Sequence, residues 1–169
     1  LIATYAAASI DSMMKIYNGL IDKFIKLDLL IVTKNVYSNL SCSAKALIVS
    51  YLTRISLCGM GHHKKMIIEM ELISLLIDVL LSNFANDELL LRIFMSLSHL
   101  FEYAKNKKNI LDLCKRQVAD CIDYINEFQY HENNSISIYK ICMKETKYFL
   151  REENSIFLKY PFLRNISNL

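Results

Sequence analysis

The sequence has very few of the residues that punctuate β-rich folds. Among its 169 residues are one proline and three glycines, namely Pro161, Gly19, Gly59 and Gly61. A β-rich protein needs such residues at most turns between its strands, so this composition argues against a fold built on sheets. The hydrophobic share of 53% is large enough to form a core. We therefore predict an all-α protein that forms a single domain over residues 1–169.

Long uncharged apolar runs and concentrated charge are also missing. Asp78 interrupts one of the two most apolar segments, and Asp11 directly follows the other. A membrane-spanning helix needs about 18 or more consecutive apolar residues. The net charge is only +3, and acidic and basic residues are interspersed along the chain. A nucleic-acid-binding protein usually has a basic patch instead. We expect no membrane span, and nucleic acid is not favoured as the partner.

The sequence has no even set of regularly spaced cysteines, which would indicate a disulfide framework. Its five cysteines lie mostly among apolar residues, as buried free thiols do, and they are Cys42, Cys58, Cys114, Cys121 and Cys142. Free thiols fit a reducing compartment. We therefore expect an intracellular protein of the cytoplasm or nucleus.

No motif of an enzyme or a metal site is present. The chain has no glycine-rich phosphate loop and no H-E-x-x-H sequence. Zinc sites usually contain close ligand pairs, whereas Cys114 and Cys121 are too far apart for a C-x2-C pair. The adjacent His62 and His63 are predicted to lie in an exposed loop. We expect a noncatalytic protein without cofactor or metal, since an enzyme would need a pocket of converging titratable groups.

The chain repeats itself with a period of about 43 to 45 residues. Residues 70–84 match residues 27–40 when shifted by 43 positions, so that Glu71 meets Asp28, and they match a segment 45 positions later. This period is typical of armadillo and HEAT units. We predict a leading helix at 1–14, three repeats at 16–58, 62–104 and 107–151, and a partial repeat at 153–169.

Each repeat is predicted to contain three helices. They are expected near 16–26, 28–38, 42–58, 62–69, 71–83, 87–104, 107–115, 117–129 and 134–151. In 87–104, apolar residues recur at three- and four-residue spacing and predict one buried stripe, formed by Leu89, Leu90, Ile93, Phe94, Leu97, Leu100 and Phe101. Asn86 is a suitable N-cap for this helix, and Gly59 is suited to end the one before it.

Two segments resemble the armadillo family. "MSLSHLFEYAKNKKNIL" is similar to the end of that family's third helix and the start of the next unit, and "KYPFLRNI" is similar to the start of a second helix. The resemblance implies a right-handed α-solenoid whose third helices line a concave groove. The glycines that the family places between first and second helices are mostly missing here, where Met70 and Lys115 stand nearby. The groove tryptophan and asparagine are also missing, which argues against binding of basic peptides.

The resemblance also implies where a partner would bind. The family's groove asparagine corresponds to His99, and shifts of 45 residues lead to Arg54 and Lys144. Around them we predict a partner-binding set of Tyr51, Arg54, Arg92, Ser96, His99, Tyr103, Lys140, Lys144 and Tyr148. Cationic donors and aromatic rings in one groove suit an acidic or phosphorylated segment of a partner protein.

Three alternatives stay open at this point. An ordinary solvated helix face carries the same residue types. A nucleic-acid-binding helical repeat would place Arg54, Arg92, Lys140 and Lys144 on phosphates, with binding that weakens steeply as salt rises. Self-association through an apolar repeat end is a further role for such a scaffold.

Overall fold

The computed structural model describes residues 2–82 and 85–119. The chain divides into two units, Leu1–Phe128 and Gln129–Leu169. All of the described residues belong to the first unit. Most of the predicted helix at 117–129, the predicted helix at 134–151 and the partial repeat at 153–169 therefore lie outside the described residues.

The described residues form eight α-helices and no strand. The helices are α1 Ile2–Ile16, α2 Leu20–Lys26, α3 Leu29–Val36, α4 Cys42–Cys58, α5 Gly61–Glu69, α6 Ile73–Leu80, α7 Asp87–Ala104 and α8 Lys108–Val118, with a short 3-10 turn at Tyr37–Asn39. The all-α prediction is confirmed for this part of the chain. None of these helices is long and apolar enough to cross a lipid bilayer.

The two long helices begin and end as the sequence predicts. Ser41 and Asn86 precede α4 and α7, and their side-chain oxygens accept hydrogen bonds from the backbone N–H of Ala44 and Leu89. Such caps satisfy backbone donors that have no partner within the helix. The predicted break after Lys115 is wrong, because α8 continues to Val118. Lys115 and Arg116 are good helix formers, and no glycine or proline follows them to end the helix.

The link between α2 and α3 and the link between α5 and α6 share one backbone conformation. Asp28 precedes α3 with φ 57° and Glu71 precedes α6 with φ 61°. These residues are 43 positions apart and are the pair that the sequence shift matches. The left-handed conformation costs a non-glycine residue about 1 kcal/mol. Glu71 adopts it within a Schellman-type turn at the end of α5, in which Leu72 N–H donates to the Ile67 carbonyl. The two positions that the sequence shift matches therefore share a backbone conformation.

The long helices lie side by side, with α4 packed against α1 on one side and α7 on the other. The predicted stripe of α7 is buried at Leu89, Leu90, Ile93, Phe94, Leu97 and Leu100, while Phe101 is half-buried. The shorter helices complete the core, since α8 packs on α5, α6 and α7. The expectation that the cysteines are buried holds for Cys114. Burial raises the pKa of this thiol to about 12. It is wrong for Cys42 and Cys58, which are exposed.

Several side-chain hydrogen bonds join helices that are far apart in the sequence. Their separations are 39 residues for Asp11 and Ser50, 42 for Ser50 and Arg92, 41 for Tyr37 and Asp78, and 44 for Ile73 and Gln117. Other bonds span 33 residues for Lys45 and Asp78 and 49 for Gln117 and Ile68. Together they hold the described helices against one another.

Candidate functional site

The stacked long helices share one surface, which we call the long-helix face and define by Lys15, Arg54, Arg92, Met95 and His99. Side-chain hydrogen bonds connect Lys15 on α1 to Arg92 on α7 by way of α4. Arg54 follows the bonded residue of α4 by one helical turn, and Met95 and His99 follow Arg92 by about one and two turns. Residues at this spacing lie on the same side of a helix.

A row of polar side chains crosses the three helices at the base of this face. Lys15 Nζ lies 2.7 Å from Asp11 Oδ2, and Ser50 Oγ donates to Asp11 Oδ1 at 2.9 Å. Arg92 donates to Ser50 Oγ at 3.1 Å and to the Ser50 carbonyl at 2.9 Å. Asp11 is only 2% exposed. Because the row uses both oxygens of Asp11 and the hydroxyl of Ser50, it fixes α1, α4 and α7 relative to one another.

The sequence predicted Arg92 in this region but not Asp11, Lys15 or Ser50. The available signal was that Asp11 is the only acidic residue in an otherwise apolar, alanine-rich helix. A lone acid in such a helix either faces solvent or pairs with a polar partner, and the sequence alone does not name that partner.

Two of the predicted binding residues belong to the core instead. Tyr51 is 2% exposed and shares a hydrogen bond between its hydroxyl and Thr33 Oγ1. Burial raises the pKa of Tyr51 to about 12. Ser96 is fully buried, and its carbonyl accepts a hydrogen bond from Ser56 Oγ at 3.1 Å. Neither side chain is available to a partner, because each lies on a flank of its helix that a neighbouring helix covers.

The other predicted residues lie nearer the surface. His99 is exposed, whereas Arg54, Arg92 and Tyr103 are half-buried. The Tyr103 ring is also occupied within the chain, since Lys107 Nζ lies 3.2 Å from its centroid and the ring packs close to Gly61. The remaining predictions, for Lys140, Lys144 and Tyr148, lie outside the described residues.

The register between α4 and α7 differs from the one used to predict a ladder. The ladder pairs Arg54 with His99 across 45 residues, whereas hydrogen bonds between these helices span 42 residues from Ser50 to Arg92 and 40 from Ser56 to Ser96. At a spacing of 42, Arg54 is level with Ser96, and His99 is about one turn further along α7. The structure thus brings Arg54, Arg92 and His99 to one face but in a staggered arrangement.

The arginines of this face have no acidic partner among the residues that the structure describes. The ion pairs in residues 2–82 and 85–119 involve lysines and histidines only. Arg92 bonds to a serine, and Arg54 Nε is buried without a hydrogen-bond partner. The negative charge of Asp11 does not neutralise either arginine, because Asp11 already forms an ion pair with Lys15. The long-helix face therefore offers two guanidinium charges that described carboxylates do not neutralise.

A second polar cluster joins α2 to α5. The ligand-type atoms of Asp22, His62 and His63 lie within 4.8 Å of one another. The prediction of an exposed loop is wrong here, since both histidines lie in the first turn of α5 and His63 is 2% exposed. Because the sequence places this pair after a glycine, it suggests a loop; the structure starts the helix at Gly61 itself.

The two ring-nitrogen contacts of His63 determine what this cluster does. Its Nδ1 accepts the Met60 backbone N–H at 3.0 Å, so in the neutral ring the hydrogen is on Nε2, 2.7 Å from Asp22 Oδ1. A histidine that binds a metal through one ring nitrogen usually donates a hydrogen bond from the other. Here Nδ1 cannot donate, because it accepts the Met60 N–H. We therefore interpret the cluster as a link between helices, in which His63 caps α5 and contacts Asp22 of α2.

This link predicts that acidification destabilises the protein through His63. Burial, followed by the neighbouring His62, lowers the pKa of His63, and Asp22 opposes the shift. The unfolded chain then binds a proton more readily than the folded chain, so stability falls as pH decreases below the ordinary histidine pKa of about 6.5. Urea unfolding from pH 7.5 to 5.5 should show this loss. His63→Asn, which keeps an acceptor near the Nδ1 position but does not titrate, should flatten the pH dependence.

The exposed His99 provides the control for this experiment. His99→Asn should leave the slope of stability against pH as in the wild type. Equal slopes for the wild type and His63→Asn would show that His63 is not the group responsible.

Comparison of the chain with protein-family models, with curated proteins and with solved structures gives no match.

Proposed function

We propose that the chain is a noncatalytic scaffold of armadillo-like repeats, wound as a right-handed solenoid, that binds an acidic or phosphorylated segment of another protein. The observation that carries the proposal is the pair of arginines, Arg54 and Arg92, on packed helices, neither of which forms an ion pair with a described carboxylate. Repetition supports the scaffold part, since Asp28 and Glu71 repeat one backbone conformation 43 residues apart.

The chemistry of the face favours an anionic ligand. A guanidinium presents a planar set of donors that matches carboxylate and phosphate oxygens, and its charge persists at every physiological pH. Met95 is exposed beside these arginines and supplies an adaptable apolar contact. A segment with acidic groups and a few apolar residues therefore fits this face better than a basic one.

Helix spacing limits how the acidic groups of the partner are arranged. Packed helices lie about 8 to 10 Å apart, so Arg54 on α4 and Arg92 on α7 are separated by about one such step across the face. An extended chain advances about 3.3 Å per residue. A segment that crosses the long helices would thus place acidic groups about three residues apart.

The test is a selection of binders from a random peptide display library, using the full chain as bait. The proposal predicts enriched peptides with spaced acidic residues, and Arg54→Glu should weaken their binding at least about tenfold, equivalent to about 1.4 kcal/mol. Lys23→Glu is the matched control, because it makes the same charge change at an exposed position of α2. It should leave binding within about twofold of the wild type.

Three results would contradict the proposal. Enriched peptides without acidic residues would exclude the anionic ligand, and equal losses in Arg54→Glu and Lys23→Glu would show that net charge acts instead of the long-helix face. Tight binding of random nucleic acid that collapses with salt would favour the nucleic-acid-binding alternative.

A further inference from the structure

The outer side of α1 carries an apolar stripe that no described residue covers. Ile2 is 86% exposed, Tyr5 66%, Met13 42% and Ile16 86%. The opposite side of the helix is buried against α4 through Ala7, Asp11 and Met14. Exposed apolar side chains aligned along one helix differ from the scattered apolar residues of an ordinary surface and mark an interaction site.

The order of residues along this stripe is symmetric. From Ile2 the spacing runs three residues to Tyr5, four to Ser9, four to Met13 and three to Ile16. Ser9 is the centre, so the stripe presents apolar side chains at the same spacing when it is traversed in either direction. A two-fold interface requires such a self-complementary surface. If one residue of the first copy contacts a second residue of the other copy, the reverse contact also forms.

We propose that two copies of this chain form a dimer by antiparallel pairing of their α1 stripes. Ile2 then lies beside Ile16 of the second copy, Tyr5 beside Met13, and Ser9 meets Ser9 at the two-fold axis. The small Ser9 side chain allows the helices to approach closely at the crossing point. Its hydroxyl already donates to the Tyr5 carbonyl at 2.9 Å, so pairing buries no unsatisfied donor.

Charge and area both suit a second copy. The only charged residues of α1 are Asp11, which is buried against α4, and Lys15, which pairs with it at 2.7 Å. Neither belongs to the stripe, so two stripes meet without like-charge repulsion. Complete burial of the four exposed side chains would remove at most about 600 Å² per protomer, or about 1,200 Å² in the dimer, which is the lower limit of a specific interface. This surface lies apart from the proposed ligand contacts at Arg54 and Arg92, so dimerisation goes beyond the proposed function and does not depend on it.

The test is sedimentation equilibrium of the full chain at about 100 µM, where the wild type should be dimeric. Ser9→Glu and Ser9→Lys each place like charges together at the axis and should each raise the dissociation constant at least about tenfold. Mixing the two variants should restore a dimer, because the introduced carboxylate of one copy then faces the introduced ammonium group of the other. Val32→Glu is the control, since Val32 is 52% exposed on α3, away from the stripe, and this variant should dimerise as the wild type does.

Circular dichroism confirms that each variant is folded before its mass is measured. A monomeric wild type at this concentration would overturn the proposal and leave the stripe to another occupant. Equal association of Ser9→Glu and Val32→Glu would also overturn it, and so would a mixture of the Ser9 variants that stays monomeric.

Discussion

Leu100→Ala should lower the free energy of unfolding by about 3 kcal/mol. Leu100 is fully buried in α7, the helix that packs on α4, α5, α6 and α8. Alanine removes three carbon atoms from a closed interior, so the protein loses their transfer free energy and retains part of the cavity. Urea unfolding followed by circular dichroism measures the change.

The control for this experiment is Leu81→Ala. Leu81 follows α6 and is 40% exposed, so its truncation leaves less of a cavity and should cost less than about 1 kcal/mol. A loss below about 1 kcal/mol for Leu100→Ala would show that α7 does not form the centre of the packed helices.

Asp11→Ala should lower the free energy of unfolding by about 2 kcal/mol. The carboxylate accepts from Ser50 and pairs with Lys15, and it is 2% exposed. Its removal leaves the buried Ser50 hydroxyl without its acceptor and removes a hydrogen bond between α1 and α4. Lys15 is half-exposed and can be hydrated after the change, which keeps the loss below that for a fully buried ion pair.

A double-mutant cycle distinguishes this row from a simple loss of charge. Asp11→Ala and Ser50→Ala remove the two partners of one hydrogen bond, so the double variant should lose less stability than the sum of the single variants. Asp112→Ala, at an exposed position of α8, should change stability by less than about 0.5 kcal/mol. Strict additivity of the Asp11 and Ser50 effects would contradict the described contact.

The long helices could be predicted from sequence because local signals specify them. Asn86 caps α7, the apolar stripe of 87–104 has helical spacing, and the match between Asp28 and Glu71 corresponds to a shared left-handed backbone. These signals act within a few residues, so they need no knowledge of neighbouring helices. The right-handed armadillo solenoid stays a prediction, as does the ladder at Lys144.

The arrangement of the face could not be predicted to the same degree. Tyr51 and Ser96 are buried because a second helix packs on the flank of α4 or α7 that carries them. The apolar stripe of one helix does not reveal where a second helix packs. The sequence shift of 45 residues also separates the N-caps Ser41 and Asn86, whereas Ser50 and Arg92 are 42 residues apart. The helices α4 and α7 are therefore staggered by about one turn, which the sequence does not reveal. His63 illustrates the same limit, since its burial results from Asp22 on another helix.

Nuclear magnetic resonance shows whether an acidic segment binds across α4 and α7. An acidic peptide from the library selection is titrated into the isotope-labelled chain, and the shifts of the backbone amide signals are mapped. The largest shifts are expected around Arg54, Arg92 and His99. Shifts concentrated on α2 and α5, or the absence of saturable shifts, would contradict this expectation.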